Sequence, residues 1–579
     1  MNLFPSRRRP APRIQAGDDL QANAPLRLDG VTSHALETGR SRLLTTAAMF
    51  FLAYSVIGLR LLDVSVLDRS TGHAAPTATS RDPADIVRAD ITDRNGAILA
   101  TSLPTVSLYA QANEVQDPAE ATRKLIGVLP DLNAAEIQER LSSKRPFVYL
   151  RRNLTPRQQY DVNALGIPGL YFEKDERRVY PHGDLAAHIV GMTDVDNKGV
   201  SGIERRFDSR LRTDHQPLRL SIDIRMQEIV HDEVAKSMKE FSALGAVGLV
   251  MDVHTGEVLA MVSLPDFDPN DPPGGNDVRL FNRATKGLYE MGSTFKLFNT
   301  AAALDYGVAT PTSSFDATQP LHLAGAVIHD DHPQARWLTV PEILIYSSNI
   351  GAARMALDLG AANQRAFLDR VGLLAPTGVE LPEPSTPQDP RVWREINTAT
   401  IGFGHGISVT PLHLITGVSA LVNGGEFHRA TLLARAPGAA IEEERVTKKK
   451  TSDELRQMMR MVVAQGTGKY ADVPVYFVGG KTGTAEKAVN GSYRRKAVLS
   501  SFIAAFPIDA PRYCVLVMID EPQGTKETHG FITGGWTAAP AVARIIAQIA
   551  PLTGMLPRRE MQTPGFVDGW ATRDVARAD

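Results

Sequence analysis

The chain has 579 residues, with 63 Lys and Arg against 65 Asp and Glu, a formal net charge of −2, and hydrophobic and charged fractions of 43% and 22%. That length exceeds what one compact core serves and implies two or three domains of ordinary globular composition, while the near-zero charge leaves no basic footprint for nucleic acid. Cys514 is the only cysteine, which excludes an intrachain disulfide and a zinc–thiolate cluster.

Residues 1–42 carry Arg7-Arg8-Arg9 amid Pro, Ala and Asp with no apolar periodicity, and read as a disordered tail. An uncharged apolar run extends from 43 to 59, flanked by Arg42 and Arg60 with Leu61 and Leu62 beyond. As a helix over 43–62 it reaches about 30 Å, one bilayer crossing with snorkelling arginines at its ends. The arginines lie mainly before it, so the tail is expected in the cytoplasm and the rest of the chain outside. A cleaved signal peptide and a buried core helix compete with this reading. The long polar stretch ahead disfavours the first, and the missing polar face disfavours the second.

A polar linker, 63–82, leads to Asp93-Arg94-Asn95-Gly96, where alternating residues predict two short strands around an Asn-Gly turn. Helical patterns come next at 118–128 and 134–141, then Arg178-Val179-Tyr180-Pro181 and Gly202-Ile203-Glu204. Arg178 and Glu204 read as structural ion-pair partners. Residues 63–235 therefore read as a non-catalytic pedestal.

The remainder, 236–560, predicts an α+β domain. A helix over 224–241 leads into a hairpin of strands 246–251 and 257–263. A helix near 293, a largely helical and loop-rich stretch 340–422, three strands at 476–485, 498–507 and 513–520, and a closing amphipathic helix at 538–549 complete it. The expected architecture is a five-stranded antiparallel sheet with helices on both faces and an all-helical subdomain inserted. Residues 561–579 read as a loosely ordered tail.

The chemistry begins at Glu290-Met291-Gly292-Ser293-Thr294-Phe295-Lys296. Ser293 and Lys296, three residues apart at the head of an apolar helical run, share one helical face. A desolvated lysine beside other cations can take the proton that makes a serine nucleophilic. Ser347-Ser348-Asn349 offers a hydroxyl and an amide from a loop between helices, and taken alone it reads as an ordinary helix cap or turn. In Lys481-Thr482-Gly483-Thr484, preceded by Gly479-Gly480, glycines let another backbone approach a strand closely. A peptide could add along that edge, its terminal carboxylate meeting Lys481, Thr482 and Thr484. The histidines and aspartates around 322–332 read as a surface loop and not a metal cluster. Gln465-Gly466-Thr467-Gly468-Lys469 lacks the upstream glycine of a phosphate loop, and Lys448-Lys449-Lys450 reads as a solvated face.

Ser-x-x-Lys, Ser-x-Asn and Lys-Thr-Gly in this order are the signature shared by penicillin-binding proteins and class A β-lactamases. Here the chain resembles the penicillin-binding proteins. Asp93-Arg94-Asn95-Gly96, Arg178-Val179-Tyr180-Pro181 and Gly202-Ile203-Glu204 are similar to the pedestal motifs of the class B, transpeptidase-only branch. The stretches Gly402-Phe403-Gly404-His405-Gly406 and Gly534-Gly535-Trp536-Thr537 resemble its division-specific, septal subgroup. Met291 and His405 stand where relatives often carry Pro and Gln, and neither is an expected reacting group.

The resemblance implies a periplasmic D,D-transpeptidase, anchored in the cytoplasmic membrane by one helix, crosslinking stem peptides on lipid-linked or nascent glycan strands at the division site. Ser293 would be the nucleophile and Lys296 its base. Ser347 would relay protons, Asn349 would hold Lys296, and Lys481, Thr482, Gly483 and Thr484 would grip the substrate. The backbone N–H groups of Ser293 and Thr484 would form the oxyanion hole. It further implies a polytopic glycosyltransferase and other division proteins as partners, β-lactams as covalent inhibitors, and no cofactor or metal. An elongation-specific transpeptidase, a serine hydrolase of the same fold and a β-lactam-binding sensor or scaffold are the alternative readings.

Overall fold

The computed structural model describes residues 88–560 except 144, 383–384, 437, 442–443 and 490–491, together with 44, 47–52, 54 and 55, which are helical. The expected tails 1–42 and 561–579, the linker 63–82 and most of the expected membrane helix 43–62 lie outside the described residues. Among the described residues no helix is long and apolar enough to cross a membrane.

Asp93 builds the first turn. Its buried carboxylate accepts the N–H groups of Asn95 and Ala97 at 2.7 and 2.8 Å, and Gly96 takes φ +91°, a conformation that costs glycine little. The turn joins Ile91–Thr92 antiparallel to the long strand Ile98–Ala110. That strand in turn pairs with Leu170–Val179 from Thr101↔Val179 to Ala110↔Leu170, and with Val148–Leu154. Asp117 caps Pro118–Val128 and Asn133 caps Ala134–Ser142, each side chain accepting two N–H groups of the first turn. The apolar faces of both helices close a core over the sheet with Leu108, Leu125, Leu129 and Leu150.

The Asp93 turn also ties this module to the start of the helix Ile224–Glu240. Ile224 donates its N–H to Asp93 Oδ2 at 3.2 Å, and Arg94 N–H reaches Ile222 O at 2.9 Å. Nearby, Glu204 is fully buried between Arg88 and Arg178, so the ion-pair reading of Arg178 and Glu204 fits what is observed.

The second sheet runs, in spatial order, Gly479–Val489, Ser492–Phe506, Tyr513–Asp520, Gly245–Asp252 and Val258–Leu264, every neighbour antiparallel. Alternate residues face opposite ways. Val515, Val517 and Ile519 pack with Val230 and Val234 of the helix Ile224–Glu240 and with Ile545 and Ile549 of Ala538–Leu552. Cys514, Leu516 and Met518 pack instead with Phe298, Ile415, Val418 and Met458. With helices on both faces, the central strand Tyr513–Asp520 is buried along its whole length, so it reads as a continuous apolar run up to Ile519.

Three features differ from expectation. The strand expected at 476–485 is shifted to Gly479–Val489, because Pro474–Tyr476 is a 3-10 turn ending at Phe477 with φ +49°. A helix not among the expected elements, Lys449–Gln465, sends Leu455, Met458, Met459 and Val462 into the core, and the exposed Lys448-Lys449-Lys450 at its start are the solvated face expected. Ahead of the helical stretch stand two short hairpin-like pairs, Ser314–Asp316 with Trp337–Thr339 and Leu321–Leu323 with Ala326–Ile328.

Candidate active site

Ser293 lies in a 3-10 turn, Gly292–Phe295, that runs straight into the helix Lys296–Asp305. Phe295, Leu297, Phe298 and Ala301 are buried around it and fix the helix, leaving Ser293 half-buried at a surface cleft. Its Oγ is 2.9 Å from Lys296 Nζ. The amine also donates to Ser347 O at 2.6 Å, to Ser347 Oγ at 3.1 Å and to Asn349 Oδ1 at 2.7 Å. Lys481 Nζ reaches the same Ser347 Oγ at 3.0 Å, and Thr482 Oγ1 at 3.1 Å. Ser293, Lys296, Ser347, Asn349 and Lys481 therefore form one hydrogen-bonded chain.

Both amines are fully buried. Burial pushes Lys296 down to about 7, against the opposing pull of the Asp330 and then the Asp331 carboxylates. Burial also holds Lys481 well below the usual lysine range, and the neighbouring Lys296 charge adds to the effect. Two buried amines on one hydroxyl each disfavour the other's proton. A neutral amine beside a serine oxygen is a general base in place.

Ser347 occupies the left-handed region at φ +57°, uncommon for a residue with a Cβ. It ends the helix Val340–Ile345, and Ser348 begins Asn349–Leu359 as its cap, accepting from Gly351 N–H at 3.0 Å. Asn349 Nδ2 donates to His329 O at 3.0 Å, which turns its Oδ1 toward Lys296. Asp330, which the sequence places in an incidental surface loop, is buried beneath this turn and bonded to it. Among the described residues the only grouping of three metal-ligating side chains is Asp184, His231 and Asp266, none of which lines the cleft.

The glycines let the chain's own backbone come close. A Cβ on Gly483 would lie 2.8 Å from Met291 O and 2.9 Å from Thr294 Cγ2, and one on Gly292 would lie 2.5 Å from Thr484 O. The Lys481 strand thus seats the Ser293 turn directly, and the close approach expected of a substrate at Gly483 is here made by residues 291–294. Gly292→Ala is expected to fail twice, on that contact and on its φ of +55°. Displacing the turn by about 1 Å would lower acylation roughly 100-fold, measured by stopped-flow with a chromogenic cephalosporin; an unchanged rate would show that the turn tolerates the extra carbon.

The cleft holds about 400 Å³ and its lining includes Ser293, Ser347, Thr482 and Thr484 together with Tyr470, Thr533 and Trp536. Thr467, from the stretch expected only as a loop, joins its hydroxyl to that of Thr482 at 2.9 Å. Trp536 stacks on Phe531 at 5.4 Å between ring centres and meets Tyr470 at 4.9 Å. Sequence reasoning misses Asp330, Thr467 and Tyr470 as parts of the site, and singles out Trp536 only through a family motif. Hydroxyls and aromatic faces around a serine, with two amines behind, can bind an extended amide ending in a carboxylate and transfer its acyl group.

Comparison with known proteins identifies the family and the fold. Residues 246–546 match the family model described as the penicillin binding protein transpeptidase domain, and residues 84–237 match the penicillin-binding protein dimerisation domain. A probable peptidoglycan D,D-transpeptidase FtsI of Caulobacter vibrioides is 42% identical over 82% of this chain and 83% of its own length. The peptidoglycan D,D-transpeptidase FtsI of Escherichia coli is 30% identical, covering 80% and 83%. In fold, the chain is similar to penicillin binding protein 3 of Mycobacterium tuberculosis, solved with ampicillin. That TM-score is 0.66 at 24% identity, with 83% of this chain and 98% of that one covered.

Proposed function

The chain belongs to the penicillin-binding protein transpeptidases, and from that membership we propose that it crosslinks peptidoglycan stem peptides at the division septum through an acyl-enzyme on Ser293. The observation that carries this reading is the 2.9 Å contact of Ser293 Oγ with a fully buried lysine amine. Two FtsI relatives at 42% and 30% identity support the septal assignment.

Ser293 Oγ attacks the carbonyl carbon between the last two D-alanines of a stem peptide, and its proton passes to Lys296 Nζ. The backbone N–H groups of Ser293 and Thr484 hold the developing oxyanion. The C–N bond breaks, and the proton travels from Lys296 through Ser347 Oγ to the departing amine of D-alanine. An amine of a neighbouring stem peptide then attacks the ester, gives its proton to Lys296 and displaces Ser293 Oγ, which recovers that proton. Asn349 Oδ1 holds the amine throughout. The substrate's terminal carboxylate docks at Thr482 and Thr484 beside Lys481, restores the charge of Lys481 and so keeps Lys296 neutral. A β-lactam acylates Ser293 by the same attack, but its amine stays tethered and cannot leave.

In this reading residues 63–235 are the pedestal and 236–560 the transpeptidase domain. The helix 43–62 anchors the chain in the inner membrane with 1–42 in the cytoplasm. A polytopic glycosyltransferase and other division proteins are the partners that supply glycan strands. The test is mass analysis of the full-length chain after benzylpenicillin. The expected result is one penicilloyl adduct on the peptide containing Ser293. No adduct, or an adduct on another residue, overturns the assignment.

A further inference from the structure

Asp330 has no counterpart among the three short motifs, yet the Ser347-Ser348-Asn349 turn rests on it. The carboxylate is 8% exposed. Its Oδ1 accepts the N–H groups of Asn349 at 2.5 Å and Ile350 at 2.9 Å, and its Oδ2 accepts the hydroxyl of Ser348 at 2.7 Å. It thereby takes two of the N–H groups that the first turn of Asn349–Leu359 leaves open, while Ser348 Oγ takes a third, from Gly351. The preceding residue contributes as well, since His329 O holds the Asn349 amide. The hairpin Leu321–Leu323 with Ala326–Ile328 delivers both residues to this place.

We propose that Asp330 is a positioning residue for acyl transfer, fixing through one carboxylate the turn whose oxygens hold Lys296, and supplying a buried negative charge that acts on the Lys296 amine. The inference rests on the acyl-transfer reading given above.

The geometry has two consequences. Ser347, Ser348 and Asn349 are consecutive, so a carboxylate that clamps Asn349 N–H and Ser348 Oγ leaves Ser347 little freedom and holds it at φ +57°. There its carbonyl and hydroxyl both meet Lys296. Among the described residues the hydrogen bonds to Asp330 come from N–H and O–H groups and none from a cation, so its charge acts on the helix N-terminus and on the Lys296 amine. The charged groups acting on Lys296 are Lys481 from the sheet, with Asp330 and Asp331 from the 329–332 loop. Asp331 is exposed, so solvent screens it more than Asp330.

The test is the pH profile of acylation of the full-length chain by a chromogenic cephalosporin, for the wild type, Asp330→Asn, Asp330→Glu and Asp331→Asn, with folding checked by circular dichroism. Removing a negative charge disfavours protonated Lys296, so its neutral, basic form persists to lower pH. For Asp330→Asn the rising limb is expected to move about 1 unit to lower pH, while the plateau falls roughly 10- to 100-fold as the turn loosens. Asp330→Glu keeps the charge and misplaces it, so its limb stays with the wild type and its plateau falls. Asp331→Asn should move the limb less than Asp330→Asn. A wild-type limb with a lowered plateau for Asp330→Asn removes the electrostatic half and overturns the proposal, as does an unchanged plateau; either leaves the acyl-transfer reading standing. A wild type that is not acylated at all removes that reading and the proposal together.

Discussion

Ser293→Ala and Lys296→Ala are each expected to lower the rate constant for acylation by benzylpenicillin by a factor on the order of 10³ or more. The first removes the only atom that can form the ester. The second leaves the hydroxyl in place and takes away its base, and the two together should cost little more than either alone, because they act as a unit. Lys296→Arg should not rescue activity, since a guanidinium stays protonated and cannot accept the serine proton. The buried amine near 7 also sets a pH dependence. Wild-type acylation should rise with pH through about 7 and level off above it, because only the unprotonated amine is a base. Lys296→Ala should lose this limb along with its rate. Since the truncation strands Ser347 O and Asn349 Oδ1, its unfolding midpoint must be measured beside its rate. A well-folded Lys296→Ala protein that acylates at the wild-type rate would remove Lys296 from the mechanism.

Much of this site is legible because its signals are local. A spacing of three from Ser293 to Lys296 puts both on one helical face whatever the rest of the chain does, and Asp117 before Pro118 announces a helix start without tertiary help. The apolar run at 513–519 likewise marks a strand. What stays hidden depends on contacts far apart in sequence. Asp330 reaches Ser348 and Asn349 across eighteen and nineteen residues, and a lone aspartate among loop histidines carries no periodic mark of that role. Thr467 meets Thr482 only because the loop after Lys449–Gln465 returns to the sheet edge. In that helix the buried Leu455, Met458, Met459 and Val462 keep helical spacing, and the lysines at its start draw attention away from them. Gly483 shows the same limit from the other side. A glycine declares that something comes close; the folded chain alone identifies Met291 and Thr294 as the neighbours.

Glu204→Ala is expected to destabilise the pedestal by about 3–5 kcal/mol, because it leaves two guanidinium groups buried without their shared counter-charge. Glu204 is fully buried, and Arg88 and Arg178 are 3% and 6% exposed. Arg88 Nη2 lies 2.6 Å from Glu204 Oε2, and Arg178 Nε lies 2.7 Å from Oε1. Arg88 retains Asp208 at 2.7 Å, whereas Arg178 is left with the Ser102 hydroxyl at 3.3 Å and a backbone carbonyl at 3.4 Å. Most of the loss should therefore come from Arg178, and a second substitution, Arg178→Met, made in the Glu204→Ala background should recover part of it by removing the stranded charge. Three elements meet at this cluster, the residues before Ile91–Thr92, the end of Leu170–Val179 and the helix Gly202–Arg206, so the effect should appear as cooperative loss of the pedestal. Urea unfolding of the full-length chain, read beside acylation of Ser293, separates the domains. The expected result is an early transition in Glu204→Ala, with penicillin labelling retained until the second transition. A change in stability below about 1 kcal/mol, the size of an exposed ion pair, would show that water reaches the guanidinium groups and that the cluster is not the closed unit its geometry describes.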